Sequence, residues 1–331
     1  MEMSSEKGLI FAYVLDGQGG GQSVDWDGIS NWQASDGVLW VHLDRTDHDA
    51  RQWLRDSCGL HAAIVNALLA KESRPRSMVV DQDLLVCLRG INLNPGEDPE
   101  DMVAIRMFVS AERVISVRRR KLVSVEDLRS ALVNGNGPTD ASEVLVMIAE
   151  ALTDHMDPEL TEINDELDRL EKQLEVSGYS PARGKLARLQ RDTISLRRYL
   201  DPQRDALAYL CKQQIEWLKG GDRLHLYEII DQVTRYVESL NSSRERAEVL
   251  RQQISNALSR RTSRNMYVLA IVAGIFLPLD FLTGLWGVNL SDTPQLGFPV
   301  FAIGLFVLAS LMTLFFVGSK WLRPIRHLDT H

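Results

Sequence analysis

The sequence predicts an α/β domain that leads through long helices into two C-terminal membrane-spanning helices. Three observations support this fold class. Strand and helix patterns alternate over roughly the first 120 residues, helical 3/4 spacing of apolar residues follows, and the chain is apolar for about fifty residues after Arg264. The mean hydropathy of the whole chain, −0.13, hides this division because the apolar residues are concentrated at one end.

These patterns divide the chain into seven segments. We expect a cytosolic α/β domain at 1–123, a cytosolic helical region at 124–221, a stalk helix at 222–265, a first span at 266–288, an external loop at 289–297, a second span at 298–318 and a basic cytosolic tail at 319–331.

The α/β domain is predicted from short strands separated by turns and helices. FAYVLDGQGGG indicates a strand and a hairpin turn, and its glycines do not form a phosphate loop because no Lys-Ser/Thr follows them. VLWVHLD indicates a strand, and Asp47 is expected to cap the helix that follows it. A second short helix stops before Pro75, and further strands are expected around turns at Asp81-Gln82, Pro95-Gly96 and Ala111-Glu112.

Helical spacing dominates from Ser124 onward. We expect a short helix from Ser124 to Gly135, a long one from Thr139 or Asp140 to about Val176, another from about Pro181 to Leu218 with an interruption or bend near Pro202, and a third that begins near Asp222. The third has no stop signal before Pro278. Continued to Trp286, it would be about 95 Å long, whereas a bilayer core needs about 30 Å, so its first part is predicted to be a cytosolic stalk.

The polar part of the chain is acidic. Residues 1–263 contain 33 basic and 42 acidic side chains, a formal charge of −9. This charge argues against nucleic acid as a partner and favours attraction of cations. Cys58, Cys87 and Cys211 form no CxxC pair, which favours reduced, buried thiols. The N-terminus is acidic with only a short apolar run, so it does not resemble a secretory signal.

Two apolar segments of twenty residues are long enough to cross a bilayer: Tyr267 to about Trp286, and Phe298 to about Val317. A pair of buried core helices is the alternative, but the second segment is apolar on every face. The loop NLSDTPQLG has no basic residue, whereas three basic residues precede the first segment and three follow the second. They are Arg260, Arg261 and Arg264, then Lys320, Arg323 and Arg326. The positive-inside rule therefore puts both termini in the cytosol.

The first span ends in Gly287-Val288-Asn289, where glycine permits the turn that releases the chain. A long stalk, a span ending in GxN, a short loop and one last span together resemble the CorA-type divalent-metal transporter family. The magnesium branch usually has methionine at the middle position, whereas FLPLDFLTGLWGVN resembles the zinc-transporter branch, ZntB. Upstream of this segment, further stretches of the chain resemble the same branch and occur in the same order. They are LDGQGG, WVHLD, ESRPR, LRGIN, RKL, NGPTD, ALTDH and RRYLDPQRD.

The resemblance implies a CorA-like homopentamer in the bacterial inner membrane. It implies that the stalk helix continues into a pore-lining span and that GxN lies at the outer mouth. Zinc is then expected as the transported ion, with uptake as the direction, and no catalytic cofactor is expected. The expected partners are further copies of the chain, the lipid bilayer and divalent cations.

Asp280 lies in the middle of the first span, where a carboxylate is costly unless it faces water. Two spans cannot enclose a water-filled path, so a pore requires several copies, and Asp280 then forms a ring that concentrates cations. We hypothesise that this ring is partly protonated and exchanges protons as metal passes, because like charges crowd there. The alternative is an acid capped by a neighbouring helix or by backbone loosened at Pro278. Helical spacing adds a small or apolar stripe of pore-lining candidates: Met266, Ala270, Ala273, Leu277 and Gly284.

The loop supplies the candidates for ion entrance and selectivity, Gly287, Val288, Asn289 and Asp292. A ring of Asn289 amide oxygens would hold a hydrated dication without removing all its water. The alternative for Asn289 is a helix C-cap. Asp292 adds negative charge at the entrance, or is a solvated loop acid.

Two cytosolic clusters combine histidine with carboxylates, as zinc sites do. The first contains His42, Asp44, Asp47, His48 and Asp49, and the second contains Asp154 and His155 after Thr153, with Asp157 nearby. A helix cap and a solvated acidic face are the respective alternatives. His225, His327 and His331 are isolated and are interpreted as incidental.

Alternative functions stay open. A magnesium, cobalt or nickel channel and a zinc efflux route use the same architecture. A membrane-anchored sensor or scaffold is the alternative outside transport, but the external loop has about nine residues and an intramembrane acid serves no anchor. No nucleophile–base arrangement stands out, so we expect no enzyme.

Overall fold

In a computed structural model of the chain, residues 8–71, 74–177, 182–287 and 297–318 are described. These residues form seven strands and nine α-helices, with a 3₁₀ turn at Ala34–Asp36. In chain order the elements are β1 (Leu9–Leu15), β2 (Gly21–Ser23), α1 (Trp26–Asn31), β3 (Leu39–Asp44), α2 (His48–Asp56), α3 (Ala62–Leu69), β4 (Arg76–Val80), β5 (Asp83–Gly90), β6 (Val103–Val109), β7 (Arg113–Arg118), α4 (Val123–Val133), α5 (Ala141–Asp154), α6 (Asp157–Ser177), α7 (Ala182–Lys212), α8 (Gly220–Gly287) and α9 (Gly297–Gly318).

The seven strands form one mixed sheet in the order β2-β1-β3-β7-β6-β5-β4. Only β3 and β7 pair in parallel among these strands, with Trp40 opposite Val114 and His42 opposite Ser116. β3 is buried along almost its whole length, as expected for a strand covered on both faces. Successive side chains point to opposite faces, so Leu39, Val41 and Leu43 join the core beneath α2 and α3.

Local capping explains where several helices begin. Asp47 accepts hydrogen bonds from the backbone N–H groups of Asp49 and Ala50, so its predicted role as the cap of α2 is confirmed. Asp140 accepts from Glu143 N and caps α5, one of the two predicted starts. The predicted start of α4 at Ser124 is wrong: α4 begins at Val123, and Ser124 is buried with its hydroxyl 3.2 Å from Ala151 O.

Two long helices differ from the sequence prediction. The helix expected from Asp140 to about Val176 is two helices, α5 and α6, because Pro158 has no N–H to continue the hydrogen-bond ladder of α5. Proline is tolerated in the first turn of a helix, so α6 begins at Asp157. The other helix, α7, continues through Pro202 and is not interrupted there. The short helix α1, capped by Asp25, was not predicted.

The chain separates into two units, residues 1–251 and residues 252–331. Within the described residues, α8 contains one segment long and apolar enough to cross a membrane, and a shorter apolar segment covers Ala302–Phe315 in α9. The absence of a helix stop before Pro278 is confirmed by α8, which is helical from Gly220 to Gly287. The two-span topology stays a prediction.

Candidate ion pathway

Asp280 lies on α8, an α-helix that contains a proline, Pro278, two residues before the acid. Pro278 cannot donate a backbone hydrogen bond, so the ladder of α8 is weakened one turn before it. Thr283, one turn after Pro278, donates its hydroxyl hydrogen bond back to the helix backbone, with Oγ1 3.0 Å from Leu279 O and 2.9 Å from Asp280 O. The Asp280 side chain is exposed within the single chain.

The predicted pore-lining residues occur on one continuous helix. Met266, Ala270, Ala273, Leu277, Asp280 and Gly284 are separated by alternating steps of four and three, which keeps them on one stripe of α8. Its two large apolar members are open in the single chain, since Met266 is 66% and Leu277 67% exposed. A Cβ added at Gly284 would meet nothing within 4 Å. The stripe is therefore free to face an axis formed by further copies.

A polar row continues the same stripe toward the N-terminal end of α8 and was missed by the sequence reasoning. The same three- and four-residue steps lead from Met266 to Ser263, Ser259 and Asn256, and all three side chains are exposed. The 3/4 spacing itself was the signal that could have found them. The stripe therefore combines hydroxyl and amide groups, an apolar section and one carboxylate.

The predicted entrance residues lie at the limit of the described part of the chain. Gly287 is the last residue of α8. Val288, Asn289 and Asp292 lie outside the described residues. Their roles in ion entrance stay predictions.

The remaining faces of both C-terminal helices are strongly apolar and exposed. On α8, Leu269 is 70% and Phe276 is 66% exposed, and on α9 Phe306 is 75% exposed. Contiguous apolar surface of this kind is unfavourable in water and marks contact with lipid or with another protein surface. Both helices therefore need a surrounding that the single chain does not supply.

The first cytosolic cluster is not gathered into one site. His42 is fully buried, its ring stacks on Phe11 with centroids 5.0 Å apart, and its Nδ1 lies 2.8 Å from Ser116 Oγ. Burial, followed by the positive charges of Arg118 and Arg129, holds the pKa of His42 well below its usual range. Asp44 accepts hydrogen bonds from Thr46, and His48 is exposed beside Asp49.

The second cytosolic cluster is divided between two different neighbours. His155 Nε2 lies 3.1 Å from Asp127 Oδ2, and its Nδ1 lies 3.0 Å from Ser124 Oγ. Asp154 instead accepts from Gln232 Nε2 at 3.2 Å. In the described parts of the chain, no three His, Cys, Asp or Glu side chains come together as metal ligands. The structure thus brings neither predicted cytosolic set into a coordination sphere.

Comparison with known proteins assigns the chain to a family. Residues 35–320 match the family described as CorA-like Mg2+ transporter protein. The chain belongs to the CorA-like transporter family. This membership confirms the resemblance seen in the sequence and supports a transporter rather than an enzyme.

Relatives in this CorA-like family cover nearly the whole chain. The divalent cation transporter CmaX of Pseudomonas aeruginosa is 42% identical over 296 residues, 88% of this chain and 89% of that protein. The zinc transport protein ZntB of Pectobacterium atrosepticum is 35% identical over 319 residues, 95% of this chain and 96% of that protein. The structure of full-length CmaX superimposes with a TM-score of 0.85 and 40% identity, and covers 97% of this chain and 100% of that one. The CorA-like fold and a membrane location therefore follow.

Proposed function

We propose that this chain is a divalent-cation transporter that carries Zn2+ into the cell across the bacterial inner membrane. The observation that carries the proposal is the exposed stripe of α8, with Asp280 as its only carboxylate among the described residues of the membrane segment. A carboxylate at this depth is retained where it faces a hydrated path for cations. The likeness to a protein named as a zinc transporter supports zinc as the substrate.

The pathway is proposed to form between copies of the chain. Two spans cannot surround water, and both C-terminal helices expose apolar side chains in the single chain. A symmetric homo-oligomer, a pentamer by the resemblance, would bury one face of each α8 and leave other faces for lipid. Asp280 would then form a ring, with Asn289 capturing hydrated cations at the outer mouth and both termini in the cytosol.

Proton exchange at the Asp280 ring is proposed as part of transport. Carboxylates drawn close together in a partly dry path resist simultaneous ionisation, so the ring takes up protons when it is empty of metal. A passing dication replaces those protons. Transport would then depend on the pH difference across the membrane.

Reconstitution tests zinc against other ions and transport against anchoring. The purified protein is placed in liposomes, and uptake of Zn2+ and of Mg2+ is measured with and without a pH gradient. Zinc flux that exceeds magnesium flux and changes with the gradient is the expected result. Flux of neither ion would contradict the proposal and favour a membrane-anchored scaffold.

A second function is favoured by one comparison. The relative that is 42% identical is named as a divalent cation transporter, without restriction to zinc. A channel for magnesium, cobalt or nickel would show flux of these ions equal to or greater than that of zinc in the same liposomes. Zinc export would instead appear as a Zn2+ flux that is greater when the Zn2+ gradient across the liposome membrane is reversed.

A further inference from the structure

A large basic cavity lies in the unit formed by residues 1–251, although that part of the chain is acidic overall. Its volume is about 620 Å³, within the roughly 300–1,000 Å³ of small-molecule sites. Eight of its thirteen lining residues are arginine or lysine, and one is acidic, Asp101. Such a concentration of one sign of charge is unfavourable unless anions balance it.

The cavity collects its arginines from several elements. Arg45 follows β3 and Arg119 follows β7, so both leave the carboxyl ends of the two parallel strands. Arg106 comes from β6, and Arg198 comes from α7. Ligands in α/β proteins bind preferentially outside the carboxyl ends of parallel strands.

Two of these guanidinium groups are buried, and no carboxylate of the described residues lies within ion-pair distance of either. Arg106 is 3% and Arg45 7% exposed, and the Nε atom of each has no hydrogen-bond partner in the described residues. Arg45 donates to the carbonyl oxygens of Leu69 and Lys71, at 3.4 and 3.3 Å, which satisfy hydrogen bonds but carry no net charge. Arginine does not neutralise itself by losing its proton, so a buried one requires an anion nearby.

Among the described lining residues, the one carboxylate of the cavity is already paired. Asp101 is bound by Arg120 at 2.5 Å, and Arg120 also contacts Glu97 at 3.1 Å. Arg119 and Arg198 are exposed and have no carboxylate within ion-pair distance among the described side chains. Burial is the main cause that lowers the pKa of both Arg45 and Arg106, and neighbouring arginines lower it further, against opposing effects of Asp44 on Arg45 and Cys87 on Arg106.

We propose that this cavity binds a soluble small molecule with two or more adjacent phosphate groups, of the nucleoside di- or triphosphate class. Guanidinium groups match phosphate oxygens in bidentate pairs, and several of them balance the charge of a diphosphate. The volume exceeds what a single inorganic phosphate fills. The Arg89 guanidinium covers one face of the Tyr199 ring, with Cζ 4.1 Å from the ring centroid, and nucleobases stack on guanidinium planes as they do on aromatic rings.

Calorimetric titration tests the site on the full chain purified in phospholipid-free detergent. Inorganic pyrophosphate, ADP and citrate are titrated separately at about 150 mM salt, where weak surface attraction is screened. Pyrophosphate and ADP should bind, and citrate should bind at least tenfold more weakly. Citrate binding as tightly as pyrophosphate would overturn the assignment to phosphate, and no binding of either phosphate compound would overturn the site.

Variants of the lining arginines test whether pyrophosphate binds in this cavity. Arg119→Gln and Arg198→Gln change exposed side chains, so they test charge in the cavity without disturbing the core. Each should weaken the affinity for pyrophosphate at least tenfold. Arg235→Gln changes an exposed arginine of α8 outside the cavity and should leave that affinity unchanged. Equal affinity in all three variants would overturn the proposal. A change of oligomeric mass in the cavity variants, with no pyrophosphate binding by the wild type, would instead assign the cavity to contacts between copies.

Discussion

Ser243 Oγ lies 2.8 Å from Asn164 Oδ1 and joins α8 to α6 by a partly buried hydrogen bond, in which Ser243 is buried and Asn164 half-buried. It is one of several polar contacts between α8 and the helices α5 and α6. From one end to the other they are Asp222 with Ser142, His225 with Glu150, Gln232 with Asp154, Tyr236 with Asp157, and Arg246 with Asp168 and Glu171. Residue numbers rise together along both sides, so α8 runs parallel to α5 and α6 over this length. These contacts fix the register of the stalk part of α8.

Replacing Ser243 with alanine tests this register contact. The change removes the Ser243 hydroxyl from Asn164 Oδ1 in a partly buried interface, and we expect the free energy of unfolding to fall by about 1 kcal/mol. Chemical unfolding of the detergent-purified protein measures it. Ser242→Ala is the matched control because Ser242 is the neighbouring residue and is exposed. An equal loss in both variants would contradict a specific role for the Ser243 contact.

Elements were predictable from the sequence where local chemistry decides them. Asp47 and Asp140 cap helices because their own side chains reach backbone N–H groups a few residues away. Ser124 carries the same local signal, but its hydroxyl contacts Ala151 O and His155 instead, so tertiary packing overrides it. The break between α5 and α6 was also readable, since Pro158 stands at the required place.

Non-local arrangements were not predictable in the same way. The parallel pairing of β3 with β7 joins residues more than seventy positions apart, such as His42 and Ser116. Arg45, Arg106 and Arg198 share one cavity although no spacing in the sequence relates them. Conversely, the α8 stripe was readable because Met266, Leu277 and Asp280 belong to one helix and helical periodicity alone aligns them.

Gly37 is a position where we expect alanine to be poorly tolerated. Its φ is +120°, and a Cβ would lie 2.3 Å from the backbone oxygen of Leu15. Gly59 is the matched comparison, because its φ is +69° but a Cβ there would meet nothing within 4 Å. We expect Gly59→Ala to cost about 1 kcal/mol from backbone strain, and Gly37→Ala to cost at least about 2 kcal/mol more because the chain must also move. Thermal unfolding compares the two, and equal midpoints would contradict the overlap at Gly37.

His42 should make the stability of the unit formed by residues 1–251 depend on pH. Its pKa is held below the ordinary 6.5 of histidine, chiefly by burial and then by Arg118 and Arg129. Between the folded and unfolded pKa values, the unfolded chain binds the proton and the folded chain does not, so stability rises with pH. The contribution is complete above about pH 6.5 and is lost as the pH falls below it.

Variants of histidine isolate this effect. His42→Phe keeps a buried ring beside Phe11 but cannot titrate, so the decline in stability below about pH 6.5 should be reduced. His48→Gln removes an exposed histidine and should keep the wild-type pH profile. Unfolding midpoints measured from pH 5 to pH 8 compare the three proteins. A His42→Phe profile identical to the wild-type profile would refute the assignment to His42.

Asp280→Asn tests the proposed carboxylate ring directly. The change keeps the size and polarity of the side chain but removes its negative charge and its ability to exchange protons. If the ring concentrates cations, zinc flux in liposomes should fall about tenfold or more, since charged pathways raise local ion concentration by at least that factor. The dependence of flux on a pH gradient should disappear as well. Asp231→Asn, which neutralises an exposed acid of the same helix outside the apolar segment, should change neither property. Flux and pH dependence retained in Asp280→Asn would show that the acid does not face the ion path, and would leave capping by a neighbouring helix as its role.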